Sequence, residues 1–228
     1  MSPLAGRAVC LLIGYLFGCF LTADILTRRK LGKSAFEVGS KNPGMANIGA
    51  LMGVKGAAVV LAGDIVKTIM AVLVANLACL WLLGLPELAQ PDVPLFTRIV
   101  FPHSGTAATL WAGVGATLGH NYPFWHRFGG GKGVTTTCSA VILFHPVLGL
   151  AACLAGLAVA ALSKQLCFGA MTIVTVFAIE MGILAGWGEQ LVGALVLFVC
   201  MLFAHGAPCW RALHGEEPQA ALFTRRKG

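Results

Sequence analysis

Charge is what this sequence has least of. Only 11% of its 228 residues are charged, against about a quarter in a soluble domain. A chain so poor in charge cannot cover itself with an ordinary solvated surface. That excludes a soluble globular fold and points to one integral membrane domain spanning 1–228. Acidic residues are scarcer still: nine Asp and Glu stand against sixteen Lys and Arg, a formal net charge of +7. A basic chain suggests a nucleic-acid partner, but apolar runs would surround any basic patch here, which argues against one. None of the eight cysteines forms a CxxC pair, and most lie in apolar runs. They read as small hydrophobes of a membrane core rather than as disulfides or metal ligands. No cluster with metal-site spacing is present, and no metal or cofactor is expected. The first apolar run ends in Leu21-Thr22-Ala23-Asp24 with no small-x-small cleavage site, so it reads as a retained helix.

What the sequence has in abundance is apolar length. A bilayer core of about 30 Å needs about 20 apolar residues in a helix. Candidate runs lie at 9–26, 57–85, 105–118, 134–144, 146–162, 166–187 and 191–204. The pair at 134–162, parted by His145-Pro146, is either two helices joined by a tight turn or one broken helix. The expected fold is all-α, with about seven transmembrane helices. Basic residues test the count. Arg28, Arg29, Lys30, Lys33, Lys41 and Lys55 follow the first run, Arg127 and Lys132 the third, and Lys164 the fifth. Arg211, Arg225, Arg226 and Lys227 follow the last. All of these fall on one side in this arrangement, so the positive-inside rule puts the N-terminus outside and the C-terminus in the cytoplasm. The proline-containing stretch 86–104 becomes a long external connection.

Three cytoplasmic segments, 27–56, 119–136 and 205–218, hold nearly all the unusual residues. The second reads Gly119-His-Asn-Tyr-Pro-Phe-Trp-His-Arg-Phe-Gly-Gly-Gly-Lys-Gly-Val134. Successive amides in Gly129, Gly130, Gly131 and Gly133 can form an anion-binding nest. The following helix adds its N-terminal dipole, and Lys132 adds a charge. A nucleotide P-loop needs Ser or Thr after Gly-Lys; Gly133 stands there instead. The first segment contains Gly39-Ser40-Lys41-Asn42-Pro43-Gly44-Met45-Ala46-Asn47, with Ser40, Asn42 and Asn47 offering hydrogen bonds. The third places His205 at a helix end, followed by Arg211, His214, Glu216 and Glu217. Inside the membrane, Asp64 and Lys67 share a helix face and read first as a structural ion pair. Glu180 needs a partner from another helix, a proton or a water-filled cavity.

In order and spacing these segments resemble the bacterial acyl-phosphate:glycerol-3-phosphate acyltransferases, the PlsY family. Its first motif is similar to Gly39–Asn47, its second to Gly119–Thr136, and its third to His205, Arg211, Gly215 and Glu217. Asp64 and Lys67 match its Asp-x-x-Lys pattern. The resemblance covers essentially the whole chain. It implies transfer of a fatty acyl group from acyl-phosphate to the sn-1 hydroxyl of glycerol-3-phosphate, giving lysophosphatidic acid and phosphate at the bacterial inner membrane. Ser40, Lys132, His205 and Glu217 would then be catalytic. Asn42, Asn47, His120 and the glycines 129, 130, 131 and 133 would bind substrate phosphate, with His120 as an alternate base.

The chain departs from the family pattern at four places. Gly18-Cys19-Phe20-Leu21 replaces Gly-Ser-Ile-Pro, Lys41 replaces a glycine, Ala50 an arginine and Pro208 an asparagine. These departures leave two other readings open: an inactive or altered-substrate paralogue acting as a membrane scaffold, or a lipid-phosphate transporter. None of the six histidines has an Asp five residues later. The His-x4-Asp signature of acyltransferases that use acyl-CoA or acyl carrier protein is therefore absent.

Overall fold

The computed structural model describes residues 2–90 and 105–220. Regular structure in these residues is helical: α1 Pro3–Gly18, α2 Thr22–Leu31, α3 Met45–Trp81, α4 Ala107–Asn121, α5 Val134–Phe144, α6 Pro146–Ser163, α7 Leu166–Ala185 and α8 Glu189–Leu213. Short 3₁₀ turns occupy Pro86–Ala89 and Phe124–His126. Most of the expected external connection at 86–104 lies outside the described residues, as do Arg225, Arg226 and Lys227.

Each of the seven apolar runs becomes helix, but they are not equal. Five helices are long and apolar enough to cross a membrane: Pro3–Leu31 taken as one, α3, α6, α7 and α8. At 1.5 Å per residue α4 rises roughly 22 Å and α5 roughly 16 Å, both short of a ~30 Å hydrocarbon core. The stretch 134–162 resolves into two helices, because His145 leaves helical geometry (φ −136°, ψ 91°) and Pro146 opens the next helix.

The tightest packing is between α1 and α4. Gly14 and Gly18 face the carbonyls of Ala112 and Ala116, while Gly115 and Gly119 face those of Leu11 and Tyr15; a Cβ at any of the four would collide with backbone. Small residues one turn apart on both helices thus let the backbones touch. In a bilayer that contact replaces the hydrophobic drive that water would supply. A buried polar link adds to it: Asn76 of α3 donates to Thr109 Oγ1 and accepts from Thr106 Oγ1, each at 2.9 Å. The main apolar core lies between α4, α5, α7 and α8, around Val114, Val141, Phe177 and Met201.

Two helices are interrupted where the motifs lie. The first apolar run breaks between α1 and α2, at Cys19 to Leu21. α3 kinks at Gly53, whose φ of 71° and ψ of −167° suit only glycine. The third motif segment differs from the expectation. His205 is not at a helix end, since α8 continues through it and through Pro208 to Leu213. The buried stripe Met201, His205, Pro208 keeps helical spacing. Pro208 removes one backbone donor without ending the helix.

Candidate active site

The loop between α2 and α3 is shaped by two buried side chains. Asp24, 5% exposed, accepts from Arg28 Nε at 2.8 Å, from the Ser34 hydroxyl and from the Ala35 N–H at 2.9 Å. Asn47 stands in the first turn of α3. Its Oδ1 accepts the Ser40 N–H at 2.8 Å, and its Nδ2 donates to Val38 O at 3.1 Å and Ala35 O at 3.5 Å. The Asn47 amide therefore builds the loop, a different task from the substrate contact expected of it. It leaves the side chains of Ser40 and Lys41 exposed and that of Asn42 half-buried. Lys41 adopts φ 58°, the left-handed region that glycine enters without cost. This gives a physical reason for the glycine usual at that position.

The glycine-lysine loop folds back on the end of α4. Gly131 N–H donates to His120 O at 2.9 Å, and Gly129 N–H to His126 O at 3.0 Å. Two of the amides expected to cradle phosphate are thus engaged within the protein. The glycines serve close approach: a Cβ at Gly130 would strike His120 O, at Gly131 the His120 ring, and at Gly133 the Asn121 side chain. Gly133 caps α5 at φ 69°. The half-buried Lys132 immediately precedes the Gly133 cap of that helix, whose N-terminal dipole favours an anion as the lysine charge does. His120 is not at the surface. It is 3% exposed, with Nδ1 2.8 Å from Nζ of Lys67.

The third segment meets the second. His205 is 2% exposed, with no side-chain hydrogen-bond partner at either ring nitrogen, and its polar contact is with the backbone of Lys132. The charges of Lys132 and Glu217 both act on it. Glu217 accepts from Arg211 Nε at 2.7 Å through Oε2, and its backbone carbonyl accepts from Gln165 Nε2 at 3.1 Å. Asn121 Oδ1 is also buried without a partner, while its Nδ2 donates to Cys200 Sγ at 3.3 Å.

Between the first and second segments lies a cavity of about 290 Å³, lined by Phe36, Trp125, His126, Arg127 and Gly129. The His126 ring packs against Phe36 in a tilted arrangement, with centroids 5.0 Å apart, and its Nε2 lies 3.7 Å from Asp24 Oδ2. Trp125 and Phe128 are exposed beside it. A larger cavity, about 640 Å³, lies among Arg7, Glu87, Leu110 and Glu189 and holds none of the motif residues. Among the described residues no group of three or more His, Cys, Asp or Glu could hold a metal ion.

The structure therefore brings Lys132, His205 and Glu217 together and joins Ser40 to Asn47. Sequence reasoning passed over Asp24, Ser34 and Asn121. Asp24 carried a signal: it is an acid ending an apolar run, four residues before Arg28. Asn121 carried none beyond its place inside the second motif.

Residues 8–215 match the family described as glycerol-3-phosphate acyltransferase. The chain belongs to that family. A relative from Lactobacillus johnsonii, glycerol-3-phosphate acyltransferase 1, is 34% identical over 86% of this chain and 83% of its own. A glycerol-3-phosphate acyltransferase from Thioalkalivibrio sulfidiphilus is 32% identical over 96% of this chain and 97% of its own. The fold is that of PlsY (YgiH), an integral membrane glycerol 3-phosphate acyltransferase solved in a glycerol 3-phosphate form. That structure superposes with a TM-score of 0.72 at 22% identity, covering 93% of this chain and 94% of PlsY. A lysophosphatidic acid form superposes at 0.70.

Proposed function

We propose that this chain is a membrane acyltransferase that moves a fatty acyl group from acyl-phosphate to glycerol-3-phosphate, releasing lysophosphatidic acid and inorganic phosphate. The observation that carries the reading is His205. It is buried with no side-chain hydrogen-bond partner, against the backbone of Lys132 and within reach of the charges of Lys132 and Glu217. A buried ring nitrogen left unpaired costs about 1–3 kcal/mol, and a substrate hydroxyl bonded to the imidazole would offset that. Family membership supports the same reading, and nothing in the comparisons supports a scaffold or a transporter.

Acyl-phosphate is a mixed anhydride with a good leaving group, so the site must chiefly position and stabilise charge. The acceptor hydroxyl attacks the acyl carbon while His205 takes its proton. The bond from the acyl carbon to the phosphate oxygen then breaks. Lys132 and the first-turn amides of α5 hold the departing phosphate, to which His205 returns the proton. Ser40 and Asn42 orient substrate oxygens from the first loop, and Glu217 and Arg211 set the electrostatics around His205. The motif segments face the cytoplasm, which the Lys/Arg excess in them supports, and the chain sits in a bacterial plasma membrane, which its similarity to bacterial relatives supports.

The test uses purified protein supplied with acyl-phosphate and glycerol-3-phosphate, with phosphate and lysophosphatidate measured. Stoichiometric formation of both is expected, with loss in Lys132→Ala. Folded wild-type protein that stays silent across acyl lengths would overturn the proposal.

A further inference from the structure

Four acceptors surround the Lys67 ammonium: Asp64 Oδ1 at 2.9 Å, Phe20 O at 2.8 Å, Gly18 O at 3.2 Å and His120 Nδ1 at 2.8 Å. Lys67, Asp64 and His120 are all buried. An ammonium has three hydrogens and no lone pair. To a charged Lys67 His120 cannot donate, so in that state Nδ1 carries the lone pair and the ring hydrogen sits on Nε2. Asp64 Oδ1 is 3.7 Å from Nδ1, beyond hydrogen-bond reach, and does not compete for a proton there.

With Nδ1 pinned, the far edge of the ring faces Gly131. A Cβ there would collide with Nε2 and stand 2.8 Å from Cδ2. Gly131 is also bonded through its N–H to the His120 carbonyl, so ring and backbone of one residue both set its place. Lys132 is the next residue. At its other side the same ammonium takes the carbonyls of Gly18 and Phe20, which the break between α1 and α2 strips of helical partners. Lys67 satisfies both of these carbonyls.

We propose that Lys67 is a positioning residue for acyl transfer: acting through His120, it holds Gly131, and with it Lys132, where phosphate is bound. The proposal rests on the reading of Lys132 as a phosphate-binding residue. A merely structural lysine would tie helices together without controlling the His120 tautomer or the loop.

The full chain, labelled with ¹⁵N-histidine in detergent micelles, decides the matter, with His120 assigned from a His120→Asn variant. In wild type His120 is expected as the Nε2–H tautomer, and Gly131→Ala is expected to shift its signals. In Lys67→Met the two tautomers should mix. Kinetically, Lys67→Met and Gly131→Ala should each raise KM for glycerol-3-phosphate or acyl-phosphate about tenfold or more, with a smaller change in kcat. Because both act through one ring, the double variant should be no worse than the poorer single one.

An Nδ1–H tautomer in wild type, or multiplicative effects in the double variant, would overturn the proposal. If Lys67→Met does not fold, the wild-type tautomer and the response of His120 to Gly131→Ala still decide. Both are read without turnover, so they stand apart from any failure of the acyltransferase reading.

Discussion

Asn47 closes the loop that presents Ser40: its Oδ1 accepts the Ser40 N–H at 2.8 Å while its Nδ2 donates to the Val38 carbonyl at 3.1 Å. Asn47→Ala removes both and leaves part-buried backbone groups unpaired, at a cost of about 1 kcal/mol. The expected result is a lower melting temperature together with a large loss of activity. Asn47→Asp keeps the acceptor and loses the donor, so it should fall between Asn47→Ala and wild type in both. Equal thermal stability in all three proteins would contradict the loop-building role.

The four glycines of the second motif should not respond alike to alanine. A Cβ at Gly129 meets only His126 O at 3.6 Å, whereas at Gly131 it collides with the His120 ring. Gly129→Ala should keep activity within about threefold of wild type, as expected of an ordinary surface change. Gly131→Ala should lose about tenfold or more through a misplaced Lys132. Steady-state kinetics on the two proteins side by side check this.

Lys41 holds a left-handed backbone at φ 58°, which costs a non-glycine residue about 1 kcal/mol. It is also an exposed cation in a motif where Ala50 leaves an arginine missing. Lys41→Gly should raise thermal stability slightly while raising KM for the phosphorylated substrates. Lys41→Ala should raise KM equally without the gain in stability. A KM unchanged in both would show that the Lys41 charge does not replace the missing arginine.

His205→Gln keeps volume and hydrogen bonding but cannot accept a proton from the attacking hydroxyl. Loss of a general base typically costs 10²–10⁴-fold in rate, so kcat should fall in that range with little change in KM. Lys132→Ala should raise KM and lower kcat together, since it holds phosphate in both the ground and transition states. Initial-rate measurements over both substrates separate the two patterns.

Gly14→Val should collide with the Ala112 carbonyl and Gly115→Val with that of Leu11. Either forces α1 and α4 apart, and overpacking of this kind costs about 1–3 kcal/mol or more. Both should lower the detergent melting temperature, and the double variant should fall short of the sum because both widen one contact.

Composition and hydropathy alone pointed to a helical membrane chain, because long continuous apolar runs suit spanning helices and not the short alternating strands of a barrel. The same local information marked the three segments that carry the chemistry, since glycines, histidines and lone cations stand out against apolar runs. Helix ends were less legible: α5 keeps the 134–144 bounds of its apolar run, but α8 continues past residue 204, through Pro208, to Leu213. Roles were decided only in three dimensions. Asn47 and the amides of Gly129 and Gly131 look free in sequence and are engaged in the fold, while the His205 ring is buried with no side-chain hydrogen-bond partner. Lys67 looks like half of an ion pair with Asp64, three residues away. Its contacts with Gly18, Phe20 and His120 cross 49, 47 and 53 residues of chain, and no local pattern encodes partners so far apart.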